Sequence, residues 1–301
     1  MKYLEHAVDI HSHMIPGVDD GAQSVTEGLE LARLDREEGM DVIFATPHYG
    51  IENGYAPGKE LILRQFDNLR EGLCREREAF FGAQGACSGI SAPSVFLGTE
   101  WYCSEEIVDR IRKQEAFPMG DSEWYMVEFL EWGSMTEPAE VMISRLGRMR
   151  QEGIRTILAH PERYTAIQED WDLARRICEM GVLLQVNAYD LCLNKNAATR
   201  ELAQWMAQER LISFLGSDMH GTRIRENGKP ARRPQMKEGV RWLYEHTEEA
   251  YADAVVRGNA EKYLGGSRAW RGVTPCWKKQ GAAVMTRFFV PTNQFFRTLH
   301  I

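Results

Sequence analysis

SVTEGLELARLDREEGMDVIFATPH, residues 24–48, decides the fold. Ser24 and Glu27 have the Ser-x-x-Glu spacing of a capping box, and Leu29, Ala32 and Leu34 return to one side before Gly39 ends the helix. Residues 42–46 then run apolar as a short buried strand that stops at Pro47. The alternation recurs: strand-like runs at 95–100, 125–129, 156–160, 182–186 and 212–216 are separated by helical patterns such as 137–153, 171–181 and 197–210. Strands separated by helices make a parallel α/β sheet. Six or seven repeats in about 265 residues suit a closed or distorted barrel better than the second choice, an open doubly wound sheet.

Composition narrows the function. The chain has 301 residues, 44% of them hydrophobic, enough for a sizeable core. A net charge of −8 argues against binding nucleic acid or an anionic membrane through bulk charge. No apolar run reaches the ~18 residues of a membrane span, and Glu5, His6 and Asp9 interrupt the N-terminus where a signal peptide needs an apolar stretch. A soluble, cytoplasmic protein without membrane insertion is expected; nothing selects an oligomeric state. The six cysteines are scattered without a C-x-x-C pair and read as reduced thiols. Two stretches stand outside the alternation. Residues 81–93 are small, Gly-rich and uncharged, as in a surface loop. Residues 266–301 hold six basic residues and no acid, leaving 30 basic against 44 acidic in residues 1–265. That division marks a globular domain, 1–265, and a basic extension, 266–301, read as a loosely packed tail or an aromatic and basic docking segment for an acidic partner.

The chemistry gathers at the downstream ends of the strands, where barrels build their sites. The first strand ends in Asp9-Ile10-His11-Ser12-His13, whose period of two puts both imidazoles on one side. The later ones supply Thr46-Pro47-His48, Glu100, Glu128, His160-Pro161 and Ser217-Asp218-Met219-His220. Buried carboxylates without a cation raise their own pKa and cost several kcal/mol. Metal binding is the economical explanation, and nitrogen and oxygen donors without thiolate point to Mn, Fe or Zn.

The ordered set HxH, VDDG, TPH, two Glu-bearing strands, HPER and SDMH resembles the PHP (polymerase and histidinol phosphatase) superfamily. Within it, residues 13–22 (HMIPGVDDGA), 45–48 (ATPH) and 158–164 (LAHPERY) are similar to the CpsB/CapC family of manganese-dependent bacterial protein tyrosine phosphatases, over roughly residues 7 to 265. The resemblance implies a distorted (β/α)7 TIM-like barrel and a trinuclear Mn site. Carried onto this sequence, it assigns one metal to His11, His13, Glu100 and Asp218, a second to Glu100, Glu128 and His160, and a third to Asp20, His48 and His220. Asp19 then fixes the turn or supports a ligand, and Asp9 orients a ligand imidazole.

The sequence departs from the family at Tyr49, where many members carry a second His, and in the long segment after His220, GTRIRENGKPARRPQM. The implied phosphate-binding residues are Arg163 and either Arg225 or Arg233, Arg233 being favoured because Pro234 follows it. The implied activity is phosphotyrosine hydrolysis on a protein, a bacterial tyrosine kinase controlling capsule or exopolysaccharide synthesis. The alternatives are a small-molecule phosphatase of the superfamily, such as one acting on histidinol phosphate, and a non-catalytic metal-stabilised barrel. Cysteine-based phosphatase chemistry is closed, because the positions six after each cysteine are Phe80, Pro93, Asp109, Leu184, Ala198 and Ala282 rather than Arg. No P-loop or G-x-G-x-x-G fingerprint supports nucleotide chemistry.

Overall fold

The computed structural model describes residues 7–50, 54–83, 93–132, 135–224, 228 and 230–265. The basic extension, Arg225 and the 84–92 part of the Gly-rich stretch lie outside them; residues 81–83 are the end of a helix.

The chain runs β1 (Ala7–Ser12), α1 (Val25–Glu37), β2 (Met40–Ala45), β3 (His48–Tyr49), α2 (Lys59–Ala83), β4 (Ser94–Leu97), β5 (Glu100–Tyr102), α3 (Ile107–Arg112) and β6 (Trp124–Glu128). A hairpin of β7 (Glu131–Trp132) and β8 (Met135–Thr136) precedes α4 (Ala139–Gln151) and β9 (Arg155–Ala159). Then come α5 (Thr165–Glu169), α6 (Asp172–Glu179), β10 (Leu183–Asn187), α7 (Ala188–Cys192), α8 (Ala197–Gln208), β11 (Ile212–Gly216) and α9 (Met236–His246), and short helical turns carry the chain to Leu264.

The expected strand 42–46 is β2, which stops before Pro47 as expected, whereas the expected continuous strand 95–100 is broken once. β2 resumes as β3 beyond Thr46-Pro47, and β4 as β5 beyond Gly98-Thr99, so the ladders form one sheet of order β1-β2-β4 and another of order β11-β10-β9-β6-β5-β3. A Cβ on Gly98 would stand 2.8 Å from Met119 Sδ and 3.0 Å from Thr46 Cγ2. The two breaks therefore lie against each other, bridged by Gly98 N–H to Ala45 O (2.8 Å) and Glu100 N–H to Pro47 O (3.1 Å). Counting each broken strand once leaves seven parallel staves. They close where Asp218 N–H donates to His11 O (2.8 Å) and His13 N–H to Met219 O (2.9 Å). This is the expected distorted (β/α)7 barrel.

Val8, Ile10, Val42, Phe44, Met126, Ile157, Ala159 and Phe214 fill the barrel interior, with Ala260 and Leu264 in the same cluster. A larger apolar layer, including Leu31, Ile43, Leu146, Leu158, Val186 and Leu202, packs the helices onto the staves. Cys103, Cys178 and Cys192 are free thiols as expected, whereas Cys74 on α2 is disulfide-bonded, against the expectation of reduced thiols throughout. No helix among the described residues is long and apolar enough to cross a membrane.

Candidate metal centre

β1 slips in register against β2, with three steps from Asp9 to Ser12 opposite two from Ile43 to Ala45. The bulge lets Ile10 join the interior cluster while His11, the next residue, also turns inward against Gly216 and Gln185. Asp9 consequently does not orient an imidazole. Its Oδ1 accepts the backbone N–H groups of His11 (3.0 Å) and Ser217 (2.9 Å), fixing the bulge and the closing seam together. Burial pushes the Asp9 carboxyl up to about 6.

At the C-terminal rim, the side chains of His11, His13, Asp20, His48, Glu100, Glu128, His160, Asp218 and His220 converge. Glu100 is at the middle: its Oε2 lies 3.1 Å from His11 Nε2, 3.3 Å from His13 Nε2 and 3.0 Å from His48 Nδ1, while Oε1 lies 2.8 Å from His160 Nε2. Asp218 Oδ1 stands 3.4 Å from His13 Nε2, and Glu128 Oε1 3.0 Å from His48 Nδ1. Asp20 Oδ1 is 3.6 Å from His48 Nε2 and 3.5 Å from His220 Nε2. Four overlapping groups have ligand atoms within 4.8 Å of one another: His13, His48 and His220; His11, His13 and Asp218; His11, Glu100 and His160; and His48, Glu100 and Glu128.

The residues behind these donors aim them. His11 Nδ1 is 2.8 Å from Gln185 Oε1, His13 Nδ1 is 2.8 Å from Asp19 Oδ2, and His220 Nδ1 is 2.8 Å from Asp218 O. With Nδ1 committed to an oxygen, each ring presents Nε2 to the centre, the arrangement that metal-ligating imidazoles use. Asp19 does both expected jobs, since Oδ1 also accepts Gly21 N–H and Oδ2 the N–H of His48. His160 and Asp218 hold φ of 35° and 51°, a left-handed backbone that non-glycine residues adopt at a cost, as is common at working sites.

Electrostatics favour a cation. Glu100 Oε2 is buried, crowded by three ring nitrogens and without a hydrogen bond, and His48 Nδ1 is in the same condition. Burial opposes charge on Glu100 and Asp218, yet His11 and His48 hold the Glu100 carboxyl well below the usual range, and Arg232, His11 and Arg163 do the same for Asp218. Burial equally opposes charge on the rings. Glu100 and Asp218 nevertheless raise His11, Glu128 and Glu100 raise His48, and Asp19 raises His13 against the opposing His48. Burial, His13 and Arg232 push His220 well below its ordinary value. Carboxylates held anionic by rings that keep their protons are a charge pattern in which divalent cations would take the place of those protons.

The arginines fall differently from the sequence reading. Arg163 reaches the rim, its Nε donating to Asp190 Oδ2 (2.9 Å) and Nη1 to Asp218 Oδ2 (2.7 Å). Arg233 is exposed and donates to Thr222 O (3.3 Å), whereas its neighbour Arg232 places Nη1 2.6 Å from Asp218 Oδ2. Arg232 was missed because two adjacent arginines look alike in sequence. Gln185 was missed too, although a glutamine inside the apolar run 182–186 is the kind of buried polar residue that signals a partner. Tyr49 is buried, its hydroxyl donating to Glu115 Oε2 (2.9 Å). Tyr55, in the loop that follows β3, supplies a stacked neighbour for His48 instead, with ring centroids 5.2 Å apart.

The family model for capsular polysaccharide synthesis, CpsB/CapC, matches residues 7–265. The chain belongs to the CpsB/CapC family. It is 23% identical over 223 residues to the tyrosine-protein phosphatase CpsB of Streptococcus agalactiae, covering 72% of this chain and 84% of that protein. To the tyrosine-protein phosphatase YwqE of Bacillus subtilis it is 26% identical over 219 residues, covering 72% and 79%. A solved chain from the crystal structures of YwqE from Bacillus subtilis and CpsB from Streptococcus pneumoniae, called unique metal-dependent tyrosine phosphatases, superposes with a TM-score of 0.70 at 22% identity. That superposition covers 85% of this CpsB/CapC chain and 94% of the solved one, and establishes the shared fold.

Proposed function

We propose that the chain is a metal-dependent protein-tyrosine phosphatase, cytoplasmic, acting on phosphotyrosine of a protein, a bacterial tyrosine kinase of capsule or exopolysaccharide synthesis. The observation that carries the reading is the convergence of seven nitrogen and oxygen donor residues with Glu100, whose buried Oε2 has no hydrogen bond, and with Asp20 beside His48 and His220 at their edge. Curated tyrosine-protein phosphatases among the relatives and the capsular description of the family support the substrate.

His11, His13, Glu100 and Asp218 would hold one cation, Glu100, Glu128 and His160 a second, and Asp20, His48 and His220 a third. Manganese is the metal proposed, with iron or zinc compatible with the same donors. Such cations, when bound, supply hydroxide at neutral pH and neutralise charge on a phosphoryl group. The chain contributes orientation: Gln185, Asp19 and the Asp218 carbonyl fix three imidazoles. Among the described residues, Arg163 and Arg232 both rest on Asp218 Oδ2 and would bind phosphoryl oxygens. No side chain needs to act as nucleophile.

Turnover of a phosphotyrosine peptide and of histidinol phosphate, each measured with manganese and after chelation, tests this. Faster peptide hydrolysis that vanishes on chelation is expected. Faster histidinol phosphate turnover would move the assignment to a small-molecule phosphatase, and chelator-resistant activity would end the metal reading.

A further inference from the structure

Arg223 lies in the segment where the sequence departs from the family pattern, between His220 and Arg232, and its guanidinium turns away from the centre. Nη1 donates to Glu27 Oε1 (2.8 Å), and Nη2 donates to the carbonyls of Gly21 (3.0 Å) and Asp20 (3.2 Å). Glu27 is the acidic member of the expected capping box. Ser24 Oγ does accept Glu27 N–H (3.2 Å), but the Glu27 carboxylate does not fold back onto Ser24. It accepts Thr222 N–H on Oε1 (3.0 Å) and Gln23 N–H on Oε2 (2.9 Å). Burial works against its charge, yet those backbone bonds and Arg223 keep its carboxyl below the ordinary range.

One guanidinium and one carboxylate thus sew two loops together. The first carries Asp20. The second is the hairpin in which Ala231 N–H bonds Arg223 O (2.8 Å) and His220 N–H bonds Arg232 O (2.8 Å). Asp20 is the donor with most need of such a tie. Its side chain is 36% exposed, against 14% for His48 and 3% for His220, and it stands on a loop rather than at a strand end. Asp19 anchors that loop from inside through His13 and His48 N–H, and Arg223 anchors it from outside.

We propose that Arg223 and Glu27 are a positioning pair that holds Asp20 against His48 and His220 and so sets the affinity of the outermost cation position, the one these three residues form. The proposal rests on the metal-centre reading above. Without the tie, the Asp20 loop must be ordered when the cation binds, and that entropic cost falls first on this position, because Asp20 is the donor that the loop itself carries.

Manganese binding to the full chain, followed by calorimetry with elemental analysis, tests it on the wild type and on Arg223→Ala, Arg223→Lys and Glu27→Gln. Arg223→Ala is expected to weaken the weakest class of manganese site by about 10–100-fold, the range for residues that orient ligands, with the tighter sites unchanged. Activity lost at limiting manganese should return with excess. Arg223→Lys keeps the charge opposite Glu27 but not the fork across two carbonyls, so it should fall between. If Arg223→Ala fails to fold, Glu27→Gln carries the test. A wild-type isotherm in these variants, a parallel loss at every site, or a lower melting temperature with unchanged binding would overturn the pairing. A wild-type protein that binds no manganese would instead overturn the metal-centre reading beneath it.

Discussion

Arg232 and Arg233 are adjacent in the chain, and the backbone sends the first guanidinium to Asp218 Oδ2 at 2.6 Å and the second outward to the Thr222 carbonyl. A residue on the phosphoryl group stabilises charge that develops during transfer, and one on a surface carbonyl does not. Arg232→Ala should therefore lower kcat/KM for a phosphotyrosine peptide by about 100-fold or more. Arg233→Ala should stay within about 2-fold, as surface substitutions usually do. Steady-state kinetics on both variants at saturating manganese decides it; equal losses would remove the special role of Arg232. Arg163 differs from both in being tied to Asp190 as well as Asp218. It is held in place before any substrate arrives.

Among the elements, β1 and β11 carry the most demanding geometry. The β1 bulge turns His11 inward immediately after Ile10, and β11 makes room for it with Gly216. A Cβ at Gly216 would stand 2.6 Å from His11 Cβ and 2.7 Å from Gln185 Nε2, both parts of the metal-aiming arrangement. Gly216→Ala is accordingly expected to cost about 1–3 kcal/mol through overpacking and to weaken manganese binding at the same time. Thermal unfolding and a metal isotherm on the one variant check both halves. Retention of wild-type affinity despite lower stability would mean that His11 tolerates displacement. Legibility at this scale was uneven. Helices α1, α4, α6 and α8 and the strands were readable because apolar periodicity is local. The resumption of the second stave beyond Pro47, the break at Gly98-Thr99 and the bulge were not, because each exists to accommodate a neighbouring stave.

Across the whole molecule, protons and cations compete for the same cavity. His11, His13 and His48 are raised in the metal-free fold by the carboxylates around them, so they stabilise the fold while protonated. That contribution is complete below the unfolded His pKa of about 6.5 and is lost as pH rises through their folded values. Glu100 and Asp218 are lowered, so their contribution is present at neutral pH and disappears in acid, below the ordinary carboxylate range. Chelator-treated protein should thus lose melting temperature as pH rises above about 6.5. Manganese, replacing the protons, should raise the melting temperature by an amount that grows with pH, and activity should fall below about pH 6. Differential scanning calorimetry across pH, with and without metal, is the measurement. A metal-induced gain independent of pH would mean that the cations do not displace protons from these rings.

By itself the sequence determined the α/β alternation, the placing of His11, His13, His48, Glu100, Glu128, His160, Asp218 and His220 at strand ends, and, through ordered motifs, the family. Those properties are written in local spacing: a period of two puts both imidazoles of H-x-H on one face, and a helix between strands makes them parallel. Only the tertiary structure decided that Gln185 rather than Asp9 aims His11, that Arg232 rather than Arg233 faces Asp218, and that Arg223 binds the loop of Asp20. Each of these is a contact between residues distant in the chain, or a choice between neighbours differing only in direction, and direction is set by how the staves and loops pack.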